Sequence, residues 1–306
     1  MYDTIPEEFR GIVEKAKQVK KPLRVALAAA DVENILAGMF EAADDGFVEP
    51  VLIGNFKKVN MVLEKLGLAD KSYDFQPISK DVNAVQYALE MVQAGQADAL
   101  MRGNTQTRDF LLPILNKMNH MIEEDGLLTH VNIYKVPGLE KPIAISDCTL
   151  LVEPSIEQRE EVIRNMVKAL NIIGVKNPII GLLSLVEKPS FHMRDTVEAQ
   201  TIVLHHREDP IADCTLVGPI TYDLIMSKEA AELKKYDCPY CGEFDGIVVP
   251  SLLAGNLICK MLDTHLHAQG CCMLMGAKVP IALVGRSESK EQAYLSLAAC
   301  AAQTVK

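Results

Sequence analysis

Six short segments of this chain follow apolar runs with groups suited to holding an oxyanion: residues 102–107 (RGNTQT), 146–149 (SDCT), 186–199 (VEKPSFHMRDTVEA), 217–223 (VGPITYD), 250–256 (PSLLAGN) and 285–289 (GRSES). They are rich in small, hydroxyl, amide and cationic side chains. Hydroxyls, backbone N–H groups in glycine-containing turns and guanidinium forks are the donors that a phosphate or carbonyl oxygen requires. Arg102, Gly103, Thr105, Thr107, Ser146, Asp147 and Thr196 stand out on this ground, as do Gly255, Asn256, Gly285 and Ser287. Neither GxxxxGK[ST] nor GxGxxG occurs, so the P-loop and the dinucleotide fingerprint have no support.

The segments need elements to position them. Short, nearly continuous apolar runs at 23–29, 50–54, 97–103, 141–147, 177–186, 214–219, 245–251, 270–276 and 278–285 read as strands. Such runs suit parallel strands covered on both faces. Helical patterns lie between most of them. The clearest is 154–174, where Ser155 and Gln158 form a capping-box pair and Gly174 supplies the stop. Ser289 and Gln292 make a second capping box for the last helix. Alternation of this kind predicts an α/β fold of right-handed crossovers. In parallel sheets ligands gather beyond the carboxyl ends of the strands, where the six segments fall.

Composition narrows the function classes. With 306 residues, 49% of them hydrophobic, the chain can build one large domain or two compact ones. A net charge of −10 argues against nucleic acid as a partner, and an anionic ligand would need basic groups concentrated at one place. No apolar run long enough for a membrane span occurs, and the acidic amphipathic N-terminus lacks the apolar centre of a secretory signal. A cytoplasmic protein with no membrane partner is expected. The eight cysteines are scattered, which suits reduced, buried thiols. A single CxxC (Cys238, Cys241) and the pairs His205/His206 and His265/His267 lack zinc-site spacing, so no metal is expected.

The blocks ISDCTLLVEPSIEQR, GPITYDLIMSKEAA, FDGIVVPSLLAGNLICKML and GAKVPIALVGRSES, in this order, resemble the phosphate acetyl/butyryltransferase family, most of all its phosphate butyryltransferases. ADALMRGNTQTRDFLLPILNK and LLTHVNIYKVPG fit the family's N-terminal half, so the resemblance covers almost the whole chain. It implies reversible transfer of an acyl group from acyl-CoA to inorganic phosphate, giving acyl phosphate and coenzyme A. Coenzyme A and phosphate would be substrates, with no permanently bound cofactor. It also implies a two-domain isocitrate-dehydrogenase-like fold of three-layer α/β/α domains with a cleft between them. The first domain is expected at 1–130 plus 272–306, built from both chain ends, and the second at 131–271. A homodimer or higher homo-oligomer is implied as well.

Carried over by motif, Arg286 matches the family's active-site arginine, and a surface ion pair with Glu288 is its plain alternative. Arg102 and Gly103 match a basic residue followed by glycine, which implies a phosphate or CoA-phosphate contact. Thr105 and Thr107 could donate to the same oxygens or simply cap a helix. His130 follows the family pattern and could shuttle a proton or pack as an ordinary core histidine. Asp223 and Asn256 match positions lining the family's cleft, and Lys278 lies in the last block. The base for the thiol proton stays open among Glu288, Glu291, His130 and Asp147, because the family's acidic position holds Gln292. Gly285 replaces the family's hydroxyl residue. Arg194, Asp195 and His192 also depart from the butyryltransferase pattern, which leaves a polar acyl group as one option. Two other functions remain in play: a non-catalytic relative that binds CoA or acyl phosphate, and a β-decarboxylating dehydrogenase. The latter needs an aspartate cluster that the strand ends do not supply.

Overall fold

The computed structural model describes residues 2–124 and 126–305, with the backbone alone for Val82. Two compact units divide it, Met1–Leu128 with Gln269–Lys306, and Thr129–Ala268.

The first unit runs through α1 (Arg10–Ala16), β1 (Leu23–Ala28), α2 (Glu33–Asp44), β2 (Val48–Gly54), α3 (Phe56–Leu66), β3 (Asp74–Pro77), α4 (Asp81–Gln93), β4 (Ala99–Arg102) and α5 (Thr107–Leu115). The chain end adds β10 (Gln269–Met275), β11 (Ile281–Ala282) and α11 (Lys290–Thr304). Strand order is β3-β2-β1-β4-β11-β10. Every adjacent pair is parallel except β10 with β11. The sequence leads one to expect parallel strands throughout; β10 departs because residues 276–280 turn the chain straight back, and so short a link joins antiparallel neighbours. β3 escapes the apolar criterion altogether, since its DFQP sequence is an edge strand with Asp74 and Pro77 exposed. Local signals set the helices. Asn55 Oδ1 accepts from Lys57 N and Lys58 N at the start of α3, and Gly67 closes it at φ +67°. The Ser289–Gln292 capping box opens α11.

α11 is buried continuously from Gln292 to Ala302, which explains its run of alanines: α1 and α2 both pack against it. α4 and α5 pack together as a separate pair, with α4 against β1 and β4. Helices thus cover both faces of the sheet.

The second unit runs through β5 (Thr129–Lys135), β6 (Ile143–Ser146), α6 (Ile156–Ile172), β7 (Ile179–Leu183), α7 (Arg194–Glu208), β8 (Thr215–Ile220), α8 (Tyr222–Met226), α9 (Lys228–Lys234), β9 (Gly246–Val248) and α10 (Leu252–His265). Strand order is β5-β6-β9-β7-β8, parallel except for β5 with β6. The Ser155–Gln158 capping box forms, and Gly174 follows α6 at φ +93°. Two strand glycines show how closely the layers approach. A Cβ at Gly246 would lie 2.5 Å from Met166 Sδ of α6, and one at Gly181 would lie 2.8 Å from Ile225 Cδ1 of α8.

The α2–α11 contact is tighter still. A Cβ at Gly38 would lie 2.5 Å from the Lys290 carbonyl oxygen and 2.9 Å from Tyr294 N, both backbone atoms that cannot swing away. Gly38→Ala gains about 0.5–1 kcal/mol of helix propensity but overpacks this contact by about 1–3 kcal/mol. A net loss of stability is expected, read as a lower urea midpoint at unchanged slope; a raised midpoint would show that the two helices do not meet as described.

Candidate active site

In the first unit, β4 stays apolar until its last residue, where Arg102 is only 6% exposed. Parallel pairing of β4 with β1 and β11 sets this position beside the ends of both neighbours. Arg102 Nη1 donates to Thr107 Oγ1 at 2.7 Å, at the start of α5, and Nη2 donates to the Val284 carbonyl just beyond β11. Nε finds no acceptor among the described residues, nor does the buried hydroxyl of Thr105. Burial lowers the pKa of the Arg102 guanidinium; Glu288 opposes this, and Arg286 adds to it. An arginine stays charged through such a shift. The result is a buried cation with one N–H edge still unused, in electrostatic reach of a second guanidinium.

Gly103 permits this arrangement. Its N–H donates to the Ala28 carbonyl at 2.8 Å and that of Asn104 to Ala29 O at 2.8 Å, so the chain after β4 crosses directly over the end of β1. A Cβ at Gly103 would lie 2.1 Å from Ala29 O and 2.5 Å from Ala28 O, both rigid backbone atoms. Gly285, Arg286 and Ser287 follow Val284 in a turn, with Arg286 and Ser287 exposed. Lys278 is not part of the group. It is exposed in the turn before β11, at the opposite end of that strand from Arg286.

In the second unit, Asp147 follows β6 and is 2% exposed. Its Oδ2 accepts from His130 N at 2.6 Å; its Oδ1 accepts from Thr149 N at 2.8 Å, Leu150 N at 2.6 Å and Leu151 N at 3.2 Å. Burial raises its pKa, and these four backbone donors oppose the rise. Ser146 Oγ donates to His130 O at 3.0 Å, and His130 Nδ1 shares a hydrogen bond with Thr149 Oγ1 at 2.7 Å. Asn256 Nδ2 donates to the Cys148 carbonyl at 3.3 Å. A Cβ at Gly255 would lie 2.6 Å from Asp147 O, so α10 reaches this loop only because that position is bare. His130, Ser146, Asp147, Gly255 and Asn256 are therefore brought together.

Thr196 and Asp223 are engaged elsewhere in the unit. Buried Thr196 accepts from Ser190 N at 2.8 Å and donates to Met193 O at 2.7 Å, which folds the loop before α7. Asp223 pairs with Lys234 at 2.8 Å, and that hydrogen bond holds its carboxyl below the usual range. Sequence reasoning passes over Thr149 and the buried Arg159. Thr149 lies within the SDCT segment, but nothing in its spacing announces a histidine partner. Arg159 reads as one more charge on a solvated helix face, yet it is 2% exposed and stands 3.7 Å from Glu198. Among the described residues, no group of three or more His, Cys, Asp or Glu side chains is placed to hold a metal ion, and no helix is long and apolar enough to cross a membrane.

These positions can be set beside known proteins. The model of the phosphate acetyl/butaryl transferase family matches residues 68–302. A phosphate acetyltransferase of Thermotoga maritima is 28% identical over 287 residues, covering 94% of this chain and 96% of that protein. A phosphate butyryltransferase of Clostridium acetobutylicum is 26% identical over 300 residues, covering 96% and 97%. The crystal structure of a branched-chain phosphotransacylase from Enterococcus faecalis V583 aligns with a TM-score of 0.77 at 26% identity, over 92% of this chain and 98% of that one. The fold is of the α/β class expected from the sequence and is shared with that phosphotransacylase. With a match that spans well over half its length, this chain belongs to the phosphate acetyl/butaryl transferase family.

Proposed function

We propose that the protein catalyses reversible acyl transfer between coenzyme A and inorganic phosphate, with a short acyl group such as butyryl. The observation that carries this reading is the buried Arg102 guanidinium, with its unused Nε edge, beside the exposed Arg286. Thiolate attack on an acyl phosphate, and phosphate attack on a thioester, both pass through a tetrahedral oxyanion. Fixed positive charge aimed at that oxygen is then the largest source of rate. Arg286 is assigned to the oxyanion and Arg102 to the phosphoryl oxygens. Thr107 accepts a hydrogen bond from Arg102, which leaves its own O–H to donate, and the Thr105 hydroxyl is available in the same way. Gly285 and Ser287 supply backbone or hydroxyl donors around them, and Gly103, whose own N–H is taken by the Ala28 carbonyl, lets the chain pass close beneath the substrate.

On the second unit, His130 is assigned a proton-transfer role and Asp223 a polar contact to the substrate. Ser146, Asp147, Thr196, Gly255 and Asn256 shape the coenzyme A side, and Lys278 a more distant contact. The division into domains 1–130 with 272–306 and 131–271 belongs to the same reading. The acyl preference draws support from Arg194: its Nε donates to Glu198 at 2.5 Å, which leaves its charge occupied rather than offered to a dicarboxylic acyl chain. A homo-oligomer fits the exposed apolar stripe of Leu253, Leu257 and Met261, which are 77%, 57% and 54% exposed at four-residue spacing along α10.

Arg286→Ala is expected to lower kcat by about 10²–10³, equivalent to about 2.7–4 kcal/mol of barrier, in a phosphate-dependent thiol-release assay; full activity would refute its role. Across propionyl-, butyryl- and dicarboxylic acyl-CoA substrates, butyryl-CoA should give the highest kcat/KM, and preference for a dicarboxylic substrate would reverse the specificity argument. Leu257→Glu should lower the mass seen in sedimentation relative to the unsubstituted protein. If both sediment alike, the α10 face is not an interface.

A further inference from the structure

The position before Arg286 is a glycine, and the structure shows what occupies the space. A Cβ at Gly285 would lie 2.2 Å from Glu288 Oε1, 2.8 Å from its Cδ and 3.1 Å from its Cγ. The φ of Gly285 is not positive, so the backbone does not demand glycine there; the room it leaves is filled by a carboxylate. The backbone of Glu288 is fixed from both sides. Its N–H donates to Gly285 O at 3.1 Å, and its carbonyl accepts from Asn34 Nδ2 of α2 at 3.0 Å. The same carboxylate acts electrostatically on Arg102, as Arg286 does with opposite sign.

Of the other candidates for a thiol base, Asp147 and His130 are buried in the second unit, and Glu291 sits in the first turn of α11, beyond the cap residue Ser289. Gln292 is neutral, and its Oε1 accepts from Ser289 N in the cap of α11. Asp147 is buried and receives four backbone N–H groups on its two oxygens. His130 is 5% exposed, with Nδ1 bonded to Thr149.

We propose that Glu288, folded into the space that Gly285 leaves open, is the general base of the acyl transfer; this rests on the acyl-transfer reading above. In the direction of acyl-CoA synthesis, the CoA thiol proton passes to a Glu288 carboxylate oxygen as the S–C bond forms. The C–O bond to phosphorus breaks, phosphate leaves with that electron pair, and Glu288 returns the proton to it or to water. In reverse, protonated Glu288 delivers the proton to the departing CoA sulfur. Glu288 acts electrostatically on Arg102 at the end of β4 and on the Cys272 thiol of β10, which burial pushes well up; Arg286 lies two residues away on the same turn, and α2 contributes the neutral Asn34.

Two variants test the assignment. Glu288→Gln keeps the shape and removes the base. Gly285→Ala adds a Cβ whose three nearest atoms all belong to the flexible Glu288 side chain, so the carboxylate is displaced while the fold survives. For acyl-CoA formation from acyl phosphate and CoA at pH 7, Glu288→Gln should lower kcat by about 10²–10⁴, and Gly285→Ala should lower it by at least about tenfold. For both, the deficit should shrink as pH rises towards the pKa of the CoA thiol, where the thiolate forms without help. The assignment is overturned if either variant keeps the unsubstituted kcat, or loses it by the same factor at pH 7 and pH 9. It is also overturned if Glu288→Gln only lowers the KM for phosphate in the reverse direction, which is what a mere counter-ion would do. If the unsubstituted protein releases no thiol from acyl-CoA on addition of phosphate, the acyl-transfer reading itself falls, and the assignment with it.

Discussion

The burial of a guanidinium at the end of β4 governs the architecture of the first unit. Taking such a cation out of water costs several kcal/mol after relaxation, and the structure offsets this with directed acceptors rather than with a single buried carboxylate. Thr107 Oγ1 takes one nitrogen and the Val284 carbonyl takes another. These acceptors come from different parts of the chain, one from the start of α5 and one from just beyond β11. The C-terminal segment must return beside β4 for the second to exist, so Arg102 ties residues 182 apart in sequence. Gly103 completes the arrangement, because any side chain there would strike the end of β1.

The strand-end turn after β11 divides two duties between neighbouring residues. Ser289 and Gln292 satisfy each other's backbone N–H groups at the start of α11, a local task worth about 1 kcal/mol at the cap. Glu288, one residue earlier, faces the other way and folds over Gly285 towards Arg102. A capping box needs Glu or Gln at its third position, and Gln fills it here without adding another negative charge beside the arginines. That leaves Glu288 as the anion in that turn set against the buried cation.

Much of this was legible from residue types alone. Both capping boxes are short-range patterns whose partners are three residues apart, and the small, hydroxyl and cationic groups that follow the strands are visible as residue types alone. What escaped depends on partners that local pattern cannot name. β3 is a polar edge strand, and β5 alternates too weakly to stand out as a buried run; the two antiparallel pairings follow from link length rather than strand composition. Gly285 reads from sequence as a lost hydroxyl, whereas in space it is room for a carboxylate three residues on. Arg159 reads as surface charge and is buried, because α7 brings Glu198 against it. Lys278 belongs to the same block as Arg286, yet β11 separates them by its own length.

Hydrogen-bond completeness sets Asp147 apart from the buried arginines. Asp147 is fully supplied with donors, and still burial leaves its pKa above the unfolded value. Protonation is then favoured in the folded state, so the stability it contributes is present at low pH and lost as pH rises through the folded pKa. A carboxylate kept at such a disadvantage near neutrality earns its place by tying three consecutive N–H groups of the following loop and the start of β5 to one point. Arg102 is the opposite case, a fixed charge whose supply of acceptors stops one short. A buried donor left unmade costs about 1–3 kcal/mol, and an acceptor brought to that edge would recover the cost. Completeness at Asp147 marks a structural knot, whereas Arg102 and Arg159 each keep one buried N–H without an acceptor among the described residues.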